Sequence, residues 1–165
     1  MTVFALPSLP QAWATGSALQ QLNWLRQMAE LWASLSQEQV AATLLHLEGL
    51  KVDEGLLRLT TLKPDGESAM PVTLMALGQQ LRPLAQTAQP EVKDYIQWLT
   101  KALAEGALPS HMMLLAELEQ AILNLAQGLT VAADWVACTD QGPSRNRNED
   151  ASHPNGQSYH RHLRR

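Results

Sequence analysis

The chain has 165 residues, 45% of them hydrophobic, with a formal charge of −4 and a pI near 5.7. That is enough chain and enough apolar surface for one domain with a true core, and the mild acidity argues against nucleic acid or an anionic membrane as partner. The only cysteine, Cys138, excludes an intrachain disulfide and a cysteine-based zinc site.

Met1 to Pro10 lacks the basic and apolar blocks of a secretory signal. No run reaches the roughly 18 apolar residues of a membrane span, so the expected location is the cytoplasm. Residues 1–16 carry Pro7, Pro10 and Gly16 and read as an irregular lead-in. Ser17 then caps an amphipathic helix over 17–35. Its face is Leu19, Leu22, Leu25, Met28, Leu31, Trp32 and Leu35. Trp24, Met28 and Trp32 form a stripe read as core. Val40 to Leu47 is mixed and begins as a short helix. Leu50 to Val52 and Leu56 to Thr60 flank Asp53-Glu54-Gly55, which predicts a β-hairpin over 50–62. Lys63 to Ser68 is a loop by composition.

Thr73 caps a second helix carrying Leu74, Leu77 and Leu81, with its end expected near Pro83. A third runs over 90–105, opened by Pro90, with Val92, Ile96, Leu99 and Leu103 on one face and Gly106 just past its end. A fourth runs over 110–127, capped by Ser110 and closed by Gly128. Its face is Leu114, Leu115, Leu118, Ile122 and Leu125. Val131 to Cys138 reads as a strand, with Cys138 a buried strand residue rather than a nucleophile. From Asp140 onward there are five arginines and three acids, and little that can be buried. His160 and His162 could bind a transition metal only weakly, and residues 152–165 read as a disordered basic tail. The expected fold class is therefore mainly α: a helical domain over 17–128 with one small hairpin, then a strand and loop.

The segment with chemical content is Asp140-Gln141-Gly142-Pro143-Ser144-Arg145-Asn146-Arg147-Asn148-Glu149-Asp150. It resembles the first signature of the PPM-type, metal-dependent serine/threonine protein phosphatases. That pattern is Asp-x-Gly-x-x-Arg-x-x-Asn-Glu-Asp after an apolar strand, and 131–151 would be the opening of such a domain. The resemblance implies that Arg145 binds substrate phosphate, while Glu149 and Asp150 help hold manganese or magnesium and their waters. Asp140, Gly142 and Asn148 complete the motif. An arginine fork suits a phosphate dianion, and hard cations take carboxylate oxygens. A two-metal site needs several more carboxylates, and none follows Asp150. No active catalytic residue and no cofactor are expected on these residues alone.

Residues 17–128 resemble, more faintly, the C-lobe of a protein kinase. Leu22 to Leu35 looks like the helix before the catalytic loop, and Leu74-Met75-Ala76-Leu77-Gly78 like the start of the large buried helix. The places of His-Arg-Asp, of the downstream Asn and of Asp-Phe-Gly hold Ala42-Thr43-Leu44, Gly49 and Thr61-Leu62. His46 stands at the place of the catalytic-loop lysine and reads as an ordinary histidine. Those replacements remove the base and the metal ligands of phosphoryl transfer, so the resemblance implies a degenerate, pseudokinase-like lobe. Some multidomain bacterial phosphatases of this family carry a decayed kinase-like region ahead of the catalytic domain. Two readings stay open. One is a non-catalytic regulatory or scaffolding segment of a PPM-type phosphatase, whose partner is another protein or the remainder of the phosphatase. The other is a stand-alone helical protein-interaction adaptor.

Overall fold

A computed structural model describes residues 5–128, so the strand expected over 131–138 and everything after it lie outside the described residues. Among the described residues the chain is mainly helical, with five α-helices and one two-stranded antiparallel sheet.

The first helix corrects the expectation for residues 1–16. α1 spans Leu9–Thr15. Ser8 and Gln11 form a reciprocal capping box, in which the Gln11 N–H donates to Ser8 Oγ and the Ser8 N–H donates to Gln11 Oε1. Pro10 falls in the first turn, where a missing N–H costs nothing. Leu9 and Trp13, four apart, are fully buried.

α2 spans Ala18–Gln37, behind a second capping box of Ser17 and Gln20. Leu22, Leu25, Met28, Trp32 and Leu35 are core as expected, and so is Trp24. Leu19, placed on that face by spacing alone, is 43% exposed. The helix ends where Gln39 takes a φ of 58° and the Val40 N–H donates back to the Leu35 carbonyl. A 3-10 turn over Ala41–Leu45 follows, buried throughout, then another over Leu47–Gly49.

β1 (Leu50–Asp53) pairs with β2 (Leu56–Leu59) in the register Leu50↔Leu59 to Asp53↔Leu56. The hairpin is shorter than the expected 50–62. Its two-residue turn has positive φ at both Glu54 (49°) and Gly55 (89°), the twist that matches a right-handed ribbon. The outer edge of β1 is covered by the lead-in: Ser8 bridges to Lys51, and the Val52 N–H donates to the Pro7 carbonyl. Gln27 of α2 covers β2, accepting from the Leu57 N–H and donating to the Gly55 carbonyl. The edge of β1 is thus paired, and Gln27 holds the turn end of β2.

A short 3-10 turn (Asp65–Glu67) interrupts the loop before α3. α3 spans Leu74–Gln86, capped by Thr73, and does not stop at Pro83. Pro83 has no N–H for the Gln79 carbonyl to accept, and both residues lie on the exposed side of the helix. The continuation buries Leu84 and Ala85. α4 spans Lys93–Ala104, three residues later than Pro90. It ends at Gly106, with a φ of 78°. α5 spans His111–Ala126 behind the Ser110 cap; Leu114 and Leu118 are buried, while Leu115, Ile122 and Leu125 are half-buried. α3 packs along α4 and α2 along α5.

Candidate functional site

Asp140, Gly142, Arg145, Asn148, Glu149 and Asp150 lie outside the described residues, as do Cys138, His160 and His162. The helical domain itself can be tested for chemistry at the places singled out by the kinase resemblance.

The residues in place of the catalytic loop are structural. In the turn after α2 the Ala42 N–H donates to Asp65 Oδ1 at 2.8 Å, and the Asp65 N–H donates to the Gln39 carbonyl at 2.8 Å. Thr43 Oγ1 accepts from the Lys63 N–H, also at 2.8 Å. Leu44 is fully buried and His46 is exposed. These bonds hold residues 42 and 43 against residues 63 and 65. The Asp65 carboxylate and the Thr43 hydroxyl are both used to hold backbone N–H groups. Among the described residues no three metal-ligating side chains come together.

This clasp carries a stability prediction. Asp65→Ala should cost about 1–3 kcal/mol, because it strands the N–H of Ala42, a residue that is 1% exposed. Asp65→Asn keeps an acceptor oxygen and should cost less. Urea denaturation followed by circular dichroism measures both; a loss within about 0.5 kcal/mol for the alanine variant would mean the clasp is not holding the loop.

Two clefts remain. One, of about 500 Å³, lies between the starts of α3 and α5, lined by Trp32, Val72, Leu74, Met75, Leu108 and His111 among others. The other, about 410 Å³, is lined by Trp98, Lys101, Glu105, Leu108 and Glu117 among others. Near it, the Tyr95 hydroxyl is buried without a hydrogen-bond partner among the described residues. Burial, then the charge of Glu117, raise its pKa above the ordinary value, and burial also raises that of Glu117. Sequence reading did not single out Tyr95 or Glu117. The signal was available for Glu117: it stands next to the buried Leu118 and three residues after the buried Leu114. Neither cleft joins a nucleophile to a base.

Among the described residues no helix is long and apolar enough to cross a membrane. Comparison with protein-family models, curated proteins and solved structures gives no match.

Proposed function

We propose that this chain is a non-catalytic regulatory or scaffolding segment of a PPM-type serine/threonine phosphatase architecture. The observation that supports this reading is the motif Asp140-x-Gly142-x-x-Arg145-x-x-Asn148-Glu149-Asp150. All its fixed positions follow an apolar run that begins just after α5. The kinase-like part of the proposal draws support from element order, since α2, a buried turn, a hairpin and α3 come in the sequence such a lobe has. The absence of a base or metal ligand at Ala42-Thr43-Leu44, Gly49 and Thr61-Leu62 makes that lobe degenerate.

Manganese or magnesium belongs to the complete family domain. Glu149 and Asp150 do not fit a dinuclear site by themselves, because each hard cation takes about six oxygen ligands. No step of catalysis is therefore assigned to this chain. The helical adaptor is the second reading, favoured by Met112, Met113 and Leu123, which stand exposed on α5.

The test is p-nitrophenyl phosphate hydrolysis with added manganese, comparing wild type with Asp150→Ala, together with calorimetry against Mg-ATP. The expected result is no turnover that depends on Asp150 and no saturable heat. Asp150-dependent turnover would show that the motif assembles a working site. Adjoining reading frames that encode further phosphatase motifs would favour the phosphatase architecture over the adaptor.

A further inference from the structure

α4 packs on α3, and α5 packs on α2. Between α4, the link at Ala107 and Leu108, and α5 they leave the cleft of about 410 Å³. Trp98, Ala102, Ala107 and Leu108 give it apolar walls, while Lys101, Glu105 and Glu117 bring charge. Lys101 and Glu105 are exposed, whereas Glu117 is half-buried. The ion pairs of the described residues join Arg26 to Glu30 and Glu119, and Arg58 to Asp53. They leave out all three charged residues of the cleft, so its most buried carboxylate has no counter-ion.

Two polar groups at this cleft are uncompensated. Burial holds the Glu117 pKa above its ordinary value, the mark of a charge that its neighbours do not repay. Tyr95, only 3% exposed, has its ring 5.8 Å from that of Trp98 and its hydroxyl oxygen buried without a hydrogen-bond partner. The charge of Glu117 reaches that hydroxyl. Native proteins leave few buried polar groups unpaired, and a perturbed carboxylate lining a cleft is a mark of a functional site. A water molecule would satisfy the hydroxyl but not the charge of Glu117. Two carboxylates beside a lysine are too few oxygen ligands for a hard metal ion.

We propose that this cleft is a binding site for a small organic ammonium ion, with the ammonium on Glu117 and the apolar body against Trp98 and Leu108. Its volume falls within the usual range of small-molecule sites. The ammonium brings Glu117 the counter-charge it lacks, together with N–H donors, where partial burial strengthens both interactions. Among aromatic side chains an indole is the best neighbour for a cation. An anion would instead meet two carboxylates against one lysine. Lys101 at the exposed rim works against a cationic ligand, by repulsion and as a rival for Glu117. This inference is independent of the phosphatase motif, and it holds or fails without reference to phosphate chemistry.

Phenethylamine is the probe, titrated into the isotope-labelled full chain at constant ionic strength. It should shift the Trp98 indole N–H and the amides of Glu105 and Glu117 saturably, with a Kd of about 1–10 mM, the range an amine of that size supports. The amides of Gln20 and Gln27, which line a separate groove between α2 and the hairpin, should not move. Phenethyl alcohol, the neutral analogue, and phenylacetate should not bind. Glu117→Gln should weaken binding by about tenfold or more. Its urea midpoint should not fall, because the amide removes a desolvated charge. Lys101→Gln should tighten binding by about two- to fivefold. Nα-acetyl-lysine amide carries the same ammonium on a protein-like stem; tighter binding than phenethylamine assigns the site to a lysine of a partner, and weaker binding to a free amine. No saturable shift with either amine, equal shifts from phenethyl alcohol, binding undiminished in Glu117→Gln, or a preference for phenylacetate that Lys101→Gln removes would each overturn the proposal.

Discussion

Trp13→Ala should lower the free energy of unfolding by about 3–5 kcal/mol, although it lies in a seven-residue helix near the start of the chain. The ring is fully buried and lies 6.2 Å from the Trp24 ring, tilted by 39°. Its Nε1–H donates to the Leu84 carbonyl at 2.9 Å, joining α1 to the last turn of α3 across 71 residues. Two losses follow from the substitution, and they differ in size. The Leu84 carbonyl still accepts from the Thr87 N–H, so the lost hydrogen bond is worth only about 1 kcal/mol. The cavity left by an indole among Leu and Trp side chains accounts for the rest. Trp13→Phe separates the two, since it keeps most of the volume and drops the donor. Urea denaturation followed by circular dichroism is the measurement, with the slope expected to stay constant. A loss below about 1 kcal/mol for the alanine variant would show that α1 is not part of the cooperative unit.

The same helix shows what the sequence could and could not disclose. α2 was legible because its core face repeats over twenty residues and Ser17 announces its start. The hairpin was legible from Asp53-Glu54-Gly55, and three helix ends from Thr73, Ser110 and Gly106. α1 was not, because two buried residues at one i, i+4 step make no period and Pro7 and Pro10 read as punctuation. Its Ser8-x-x-Gln11 signature was there to be read. Pro83 misled for a different reason: an interior proline strains or kinks a helix without always ending it, and the turn beyond it buries Leu84 and Ala85. Buried polar contacts were out of reach altogether. Gln21 is fully buried because its amide donates to the Trp13 carbonyl and accepts from the Gln89 N–H, partners 8 and 68 residues away. The clasp of Asp65 on Ala42 is of the same kind. The phosphatase-like motif is the reverse case, since all of its content is sequence and its residues lie outside those described.

Gly78→Leu should cost about 4–5 kcal/mol or more, a large part of the about 5–15 kcal/mol that holds an ordinary domain together. Nothing in the helix itself demands glycine at this position. An exposed helical glycine is worse than alanine by about 1 kcal/mol, so a purely local view predicts that Gly78→Ala stabilises. Packing reverses the sign. A Cβ on Gly78 would stand 2.5 Å from the Ala104 nitrogen, 2.6 Å from Leu103 Cβ and 2.9 Å from the Thr100 carbonyl oxygen. Two of those three atoms are backbone of α4 and cannot rotate away, so α3 and α4 must separate. Overpacking of this sort costs about 1–3 kcal/mol even for one added carbon. At the upper end it outweighs the propensity gain and leaves Gly78→Ala net destabilised by about 2 kcal/mol. The larger side chain of leucine has no route out between the helices. Gly49→Ala is the control, because a Cβ there meets nothing within 4 Å and the backbone needs no positive φ; its effect should stay within about 0.5 kcal/mol. Thermal and urea unfolding of the three variants decide the matter. If Gly78→Ala raises stability as an exposed helix glycine would, then α3 and α4 do not approach each other as closely as Gly78 permits.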